Sequence, residues 1–270
     1  MITPSWNSLE AEHFNDAYKL LCHALFVGEK VGNTRELRNV QFTVKDVSDA
    51  YISVRNPSVK YMLGELIWYL AGSRETAFIS QFAPFWNTIS DNGITSNSAY
   101  GFLINNRYEF NQLYTIVELL KQDPTSRRAV INLNYANANV IRTKDEPCTI
   151  ALQFYIRENK VHCTGMMRSN DIWRGLPYDI VYFTLLQTII AKALSKEPGS
   201  YTHFATSLHM YDRDEEKVKK CLEPGRQLKK FKLNYEELFA SARYLYEVVD
   251  NENIVTTCKR RGVIEFTGEY

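Results

Sequence analysis

At 270 residues the chain is long for one domain but within the reach of a single large one, and a hydrophobic fraction of 45% suffices for a sizeable core. A net charge of +1 supplies no global field for nucleic acid, so no nucleic-acid partner is expected; a local anion site remains open. No apolar run has the length needed to cross a bilayer, and no membrane association is expected. The five cysteines, Cys22, Cys148, Cys163, Cys221 and Cys258, are odd in number and lack zinc-ligand spacing. Reduced thiols in a cytoplasm are therefore expected, and no metal. The start, Met-Ile-Thr-Pro-Ser-Trp, has no basic stretch leading into an apolar run, so no secretory signal is read there.

In chain order, the pattern predicts a helix over Ala11 to Phe26, ending near Gly28. A loop follows from Gly32 to Glu36, then a strand over Leu37 to Val44. Pro57-Ser58 opens a strong helix from Val59 to Ala71, closed by Gly72. Glu65 lies in it among Leu63, Leu66, Ile67 and Trp68, where a carboxylate is costly unless hydrogen-bonded or protonated. Phe82 to Tyr100 reads as irregular, with Asn92-Gly93 as a turn. A helix over Asn111 to Lys121 is broken by Asp123-Pro-Thr-Ser126, and Arg127-Arg128 precedes a strand over Ala129 to Leu133. The loop from Asn134 to Pro147 leads to Cys148.

Thr149 to Arg157 and Val161 to Met167 are apolar runs split by the polar turn Glu158-Asn-Lys160, which predicts two paired strands. Ile180 to Leu194 is apolar and free of breakers, so a buried helix is expected. Arg168, Asn170, Asp171 and Arg174 then fall on a loop between core elements, and such a charged cluster needs partners or a ligand. Ser207 to Tyr211 precedes a helix start at Asp212 to Cys221, and the tail mixes helix and strand. There is no repeat, low-complexity tract or clear linker, so one α+β domain over residues 1–270 is expected.

Each chemically interesting residue also has a plain reading. Cys148, after Pro147, sits at a loop mouth; it is either a small buried hydrophobe or, in an electropositive and accessible setting, a reactive thiolate. Arg127-Arg128 is either an exposed basic pair or, with Arg168-Ser169, a bidentate grip on a phosphate. Asp179 stands before an apolar helix and could be an N-cap. His209 and Tyr211 alternate on a possible strand, so both could face one site.

Together the motifs resemble thymidylate synthases. They run in order from Gly64-Glu65-Leu-Ile-Trp-Tyr-Leu and Tyr100-Gly101 through Asp123-Pro-Thr-Ser-Arg-Arg128, Pro147-Cys148 and Gln153-Phe-Tyr155. They continue with Arg168-Ser169-x-Asp171-x-x-x-Gly175-x-Pro177 and His209-x-Tyr211. The resemblance covers about residues 57 to 215. Thr149, Met167 and Asp179 stand where that family usually has His, Gln and Asn, and they look like the deoxycytidylate and cytidylate hydroxymethylase branch.

The resemblance implies a large mixed sheet packed with helices, one face of it serving as a dimer interface. It implies that Cys148 attacks C6 of a pyrimidine nucleoside monophosphate, so that C5 can take a one-carbon unit from 5,10-methylenetetrahydrofolate. Arg168 and Ser169 would hold the 5′-phosphate, with Arg127 and Arg128 reaching in from the second subunit of an obligate homodimer that shares its active sites. Arginines converging on the phosphate would lower the Cys148 thiol pKa. His209 and Tyr211 would bind the 3′-hydroxyl. Glu65 would direct proton transfers, Tyr100 would lie beside Cys148, and Asp171 and Trp68 would meet the folate. Asp179 would read cytosine, because a protonated acid can donate to N3 while accepting from N4, and an ionised one can serve if N3 carries the proton.

Water addition would give a hydroxymethyl product, where hydride transfer gives methyl in the synthases. Those enzymes shield the reacting carbon with a tryptophan, and Phe85 falls near that position with Trp86 beside it. Arg35, Arg38 and Lys30 are alternatives for a further phosphate ligand. A dUMP-methylating synthase, or a non-catalytic relative binding nucleotide or RNA, stays open beside this reading, as does deoxyribose against ribose.

Overall fold

The structure is a computed structural model that describes residues 8–134, 142–224 and 231–266. Of the loop expected from Asn134 to Pro147, residues 135–141 lie outside the described residues. The chain opens with β1 (Ser8–Ala11), α1 (Phe14–Phe26), β2 (Glu29–Val31) and β3 (Thr34–Val44). A helical stretch follows: α2 (Val59–Leu70), α3 (Thr76–Ile79), α4 (Phe85–Ile89), α5 (Tyr100–Asn105) and α6 (Gln112–Gln122). Next come β4 (Val130–Asn132), β5 (Thr149–Arg157), β6 (Lys160–Met167), β7 (Asn170–Asp171), α7 (Leu176–Ala193) and β8 (Glu197–Tyr211). A 3-10 turn at Asp212–Asp214 leads into α8 (Glu215–Cys221), then β9 (Phe231–Leu233), α9 (Tyr235–Val248), α10 (Ile254–Arg260) and β10 (Ile264–Phe266).

The expected α+β class holds. A mixed eight-stranded sheet runs β1-β3-β8-β6-β5-β4, with β2 on β3 and β7 on β8, and β9 with β10 forms a separate antiparallel pair. Helix α7 packs on β6 and β8, and α1 on β3, so one face of the sheet is roofed. Along β6 the buried residues are Val161, Cys163, Gly165 and Met167, while Thr164 and Met166 between them are only half-buried. Tyr201, His203 and Ala205 are buried along β8, and Thr202 and Phe204 are half-buried. Period-two alternation thus divides a covered face from an open one.

Two local irregularities place functional residues. In β8 the alternation changes phase after Ala205: Leu208 and Met210 are buried, leaving His209 and Tyr211 half-exposed. The change lies opposite Asn39, which adopts a left-handed φ of 55° between the paired residues Arg38–Ser207 and Val40–Ala205. Between β5 and β6 the register shifts from Thr149–Met167 to Ala151–Met166. Such a bulge re-aims neighbouring side chains, and Cys148 lies immediately before it.

Four expectations need correction. The stretch from Phe82 to Tyr100 contains the short helix α4, whose Trp86 is buried. Asn170 and Asp171 form a strand rather than a loop, because β8 extends far enough to pair with them. The first helix starts at Phe14, since Ala11 completes β1 against Val44. Helix α7 begins at Leu176 with Gly175 at the N-cap position, so Asp179 sits inside the first turn and is not the cap.

Gly101 is fixed by a close approach. A Cβ there would lie 1.7 Å from the Tyr69 carbonyl oxygen, so α5 can cross α2 at this depth only without a side chain. Tyr100, stacked on Tyr69 at 5.3 Å, is positioned by the same crossing. Gly101→Ala is expected to cost at least about 2 kcal/mol, as overpacking against backbone does; denaturant unfolding measures the loss, and an unchanged midpoint would refute the crossing.

Candidate active site

A buried carboxyl, Glu65, neighbours a half-buried one, Asp179, which in turn neighbours the half-buried thiol of Cys148. Helix α2 is set by Ser58, whose hydroxyl accepts from the Tyr61 amide, and Ser58 N donates to the Tyr178 hydroxyl at the start of α7. This fixes α2 against α7 and puts Glu65, 7% exposed, into the interior. Tyr61, one turn before it, donates its hydroxyl to Glu65 Oε1 at 2.5 Å and accepts from Trp86 Nε1 at 3.2 Å. Tyr69 donates to the same Oε1 at 3.5 Å. Burial raises the Glu65 carboxyl to about 8 against the opposing hydrogen bond from Tyr61, and the nearby Asp179 charge adds to the rise.

Asp179 is raised to about 7, again chiefly by burial; the hydrogen bond from Asn170 opposes this and the Asp171 charge adds to it. Asn170 Nδ2 donates to Asp179 Oδ2 at 2.8 Å. Near neutrality, therefore, Glu65 is largely protonated and Asp179 is close to its midpoint.

Cys148 precedes β5, with its carbonyl accepting from Arg168 N at 2.9 Å. The Arg168 guanidinium donates Nε to the Pro147 carbonyl and Nη2 to that of Glu146, each at 3.0 Å, strapping the loop that presents the thiol. Burial pushes the thiol up to about 11, and although Arg168 opposes this, Asp179, Asp145 and Glu146 reinforce it. Tyr100, kept well above the usual phenol range by burial, has Asp179, Cys148 and Thr149 as neighbours.

Asp145, 3% exposed, accepts from Ser96 Oγ (2.6 Å), Asn97 N (2.7 Å), Ser98 N (3.2 Å) and Ser98 Oγ. It therefore ties the segment before Tyr100 to the segment before Cys148.

The structure gathers Cys148, Glu65, Tyr100, Asp179, Arg168 and Asp171 around one cluster. Asp171 Oδ1 accepts from Trp173 N (2.8 Å) and Arg174 N (3.1 Å). His209 and Tyr211 meet edge-on at 5.3 Å at the end of β8 with which β7 pairs, and half-buried Ser169 directly precedes β7 in the chain. Arg127 and Arg128 are exposed after the buried Ser126 turn, and the only acid near Arg128 among the described residues is Asp123 of that turn, at 3.9 Å. Trp68 is wholly buried, with its edge to Trp86 at 5.1 Å and its indole N–H unpartnered among the described residues. Phe85 is half-exposed, and Trp86 beside it turns inward. Lys30, Arg35 and Arg38 pair with Asp212, Glu215 and Glu29 respectively.

Sequence reading missed Tyr61 and Asp145, and it gave Asn170 no partner. The i, i+4 spacing of Tyr61 and Glu65 was an available signal. Asp145 reaches its partners only through folded loops. Arg55, with its guanidinium 4.2 Å over the Trp173 ring and Nε donating to the Trp173 carbonyl, was also missed.

The sequence profile described as "Thymidylate synthase" matches residues 30–252. A protein named deoxyuridylate hydroxymethyltransferase from Pseudomonas phage M6 is 30% identical over 167 residues, covering 61% of this chain and 48% of that protein. Another of the same name from Bacillus phage SP01 is 30% identical over 193 residues, covering 66% and 50%. The chain thus spans about half the length of the curated relatives it matches.

The raised Glu65 carboxyl has a measurable consequence for stability. Between its ordinary 4.5 and about 8 the unfolded chain releases this proton while the folded chain keeps it, so stability falls as pH rises through that window. Glu65→Gln removes the loss. Its melting temperature should exceed that of the wild type at about pH 8, by about 2–4 °C per kcal/mol recovered, with the gap closing toward pH 4.5. A gap independent of pH would show that burial does not raise this acid.

Proposed function

The chain belongs to the thymidylate synthase family, and we propose from that premise that it transfers a one-carbon unit from 5,10-methylenetetrahydrofolate to C5 of a cytosine nucleoside monophosphate, leaving a hydroxymethyl group. The observation that carries the cytosine reading is Asp179, a half-buried carboxyl raised to about 7 at the position where an amide would suit uracil. Near neutral pH this acid is half protonated. In that form it donates to cytosine N3 and accepts from the exocyclic amine, a pattern that uracil, with N3–H and O4, reverses. Discrimination of this kind can be large, because the wrong base leaves buried polar groups unpaired. Product class is supported by the two hydroxymethyltransferase relatives. Both relatives are named for deoxyuridylate, which favours a second reading in which dUMP is the acceptor.

In the proposed reaction the Cys148 thiolate adds to C6 and makes C5 nucleophilic. Since burial holds the thiol up to about 11, its proton must leave on substrate binding, when Arg168 and the further arginines of a complete site face it. Glu65, protonated near neutrality, is placed to exchange protons with the pyrimidine through water. Arg168 and Ser169 hold the phosphate, His209 and Tyr211 the 3′-hydroxyl, and Asp171 and Trp68 serve the folate.

A homodimer with shared sites completes the proposal. It is supported by the open sheet face carrying Thr164, Met166, Thr202 and Phe204, and by the outward projection of Arg127 and Arg128. A cytoplasmic location accords with the odd number and wide spacing of the five cysteines.

Incubation with methylenetetrahydrofolate and dCMP, CMP or dUMP, followed by mass analysis, tests the assignment directly. Asp179→Asn should lower the dCMP-to-dUMP ratio of kcat/KM by at least about tenfold, the scale of a mismatched buried hydrogen-bonding pair. An unchanged ratio with an intact circular dichroism spectrum would remove the basis for cytosine.

Mixing inactive Cys148→Ser protein with inactive Arg127→Ala/Arg128→Ala protein should restore activity, because one site of each mixed dimer regains both halves. Failure to recover despite demonstrated subunit exchange would refute shared sites.

A further inference from the structure

Asp179 takes one side-chain hydrogen bond from the described residues, the 2.8 Å contact from Asn170 Nδ2 to Oδ2. Asn170 is 2% exposed, and its backbone is held in β7, paired in parallel with Leu208 of β8. The contact lies over Gly175. A Cβ there would come within 3.0 Å of Asn170 Nδ2 and 3.2 Å of Asp179 Oδ2, so the missing side chain leaves room for the pair. The Asn170 Oδ1 atom is buried and has no hydrogen-bond partner among the described residues.

The titratable groups around Asp179 are Asp171 on β7, Glu65 and Tyr69 on α2, Tyr100 on α5, Cys148 before β5 and Tyr201 on β8. Every one is an acid. None brings positive charge to the carboxyl, and the neutral Asn170 amide is its one side-chain donor among the described residues.

We propose that Asn170 is a specificity-determining residue that reads the base together with Asp179. An amide N–H is best met by an unprotonated oxygen, so donation to Oδ2 leaves the acid proton on Oδ1. Oδ1 then donates to a ring nitrogen while Oδ2 still has a lone pair for an exocyclic N–H. The second N–H of that amino group meets Asn170 Oδ1, the acceptor that stands unpartnered. A carbonyl in place of the amine faces two acceptors and is disfavoured. The inference rests on the reading of Asp179 as the base-recognising acid.

The test compares kcat/KM for dCMP and dUMP, and calorimetric binding of both nucleotides and of deoxyribose 5-phosphate. The proteins are wild type, Asn170→Leu, Asn170→Ser, Asp179→Ala, Asp179→Asn and the Asn170→Leu/Asp179→Ala double variant. Asn170→Leu should lower the dCMP-to-dUMP ratio by at least about tenfold in turnover and binding, leave deoxyribose 5-phosphate binding within about twofold, and add nothing in the Asp179→Ala background. Asn170→Ser, which keeps a hydroxyl donor, should recover part of the ratio.

A ratio within about twofold of wild type in Asn170→Leu, while Asp179→Asn shifts it, overturns this inference alone. An equal fall with and without Asp179 also overturns it, as the mark of a merely structural role. An unshifted ratio in both Asn170→Leu and Asp179→Asn overturns the reading beneath it. If Asn170→Leu loses its cooperative melt, Gly175→Ala presses on the same contact from outside and takes its place in the comparison.

Discussion

Burial of carboxyls without a cation is the constraint on which the site depends. Glu65 and Asp179 are both driven upward chiefly by desolvation, to about 8 and about 7, and each is balanced by a neutral hydrogen-bond donor, Tyr61 or Asn170. A lysine or arginine in either place would hold the acid ionised. Neutral donors instead leave both groups able to carry or release a proton near pH 7, the condition for acid–base work and for a carboxyl that donates a hydrogen bond. The cost falls on stability, and a core of closely packed aromatic rings around Trp68, Tyr69, Trp86 and Tyr182 offsets it.

The scaffold converts this chemistry into geometry through a few backbone devices. The register shift at Thr149–Ala151 and the Arg168 strap present Cys148, the Asp145 carboxylate ties the Tyr100 segment to the Cys148 segment, and Gly101 lets α5 sink against α2. These contacts converge from elements far apart in sequence, so the site is only as precise as the sheet and helices that hold it. The thiol is the exception to preorganisation. Held up to about 11, it awaits positive charge beyond Arg168, which is consistent with the proposed second subunit and its arginines.

Much of this was legible in the sequence. Helix α2, the paired strands β5 and β6 and the apolar helix α7 follow from periodicity and breakers, because local patterning decides which faces can be buried. The ordered motifs from Glu65 to Tyr211 placed Cys148, Asp179 and the arginines in one family, and the profile match over residues 30–252 bears that out. Sequence also marked Glu65 as a costly carboxylate, since its apolar neighbours on α2 are one turn or less away.

Only the tertiary structure decided how those groups behave. It showed that Gly175 rather than Asp179 stands at the N-cap position of α7. It showed that Trp86 rather than Phe85 turns inward, and that the buried phase of β8 shifts so as to leave His209 and Tyr211 at the surface. It also set the Cys148 thiol high in the single chain, where burial outweighs Arg168. The physical reason is common to all of them. Helix boundaries, side-chain direction and pKa depend on which distant atoms exclude water and which supply hydrogen bonds, and a linear pattern records the residue types but not those distances.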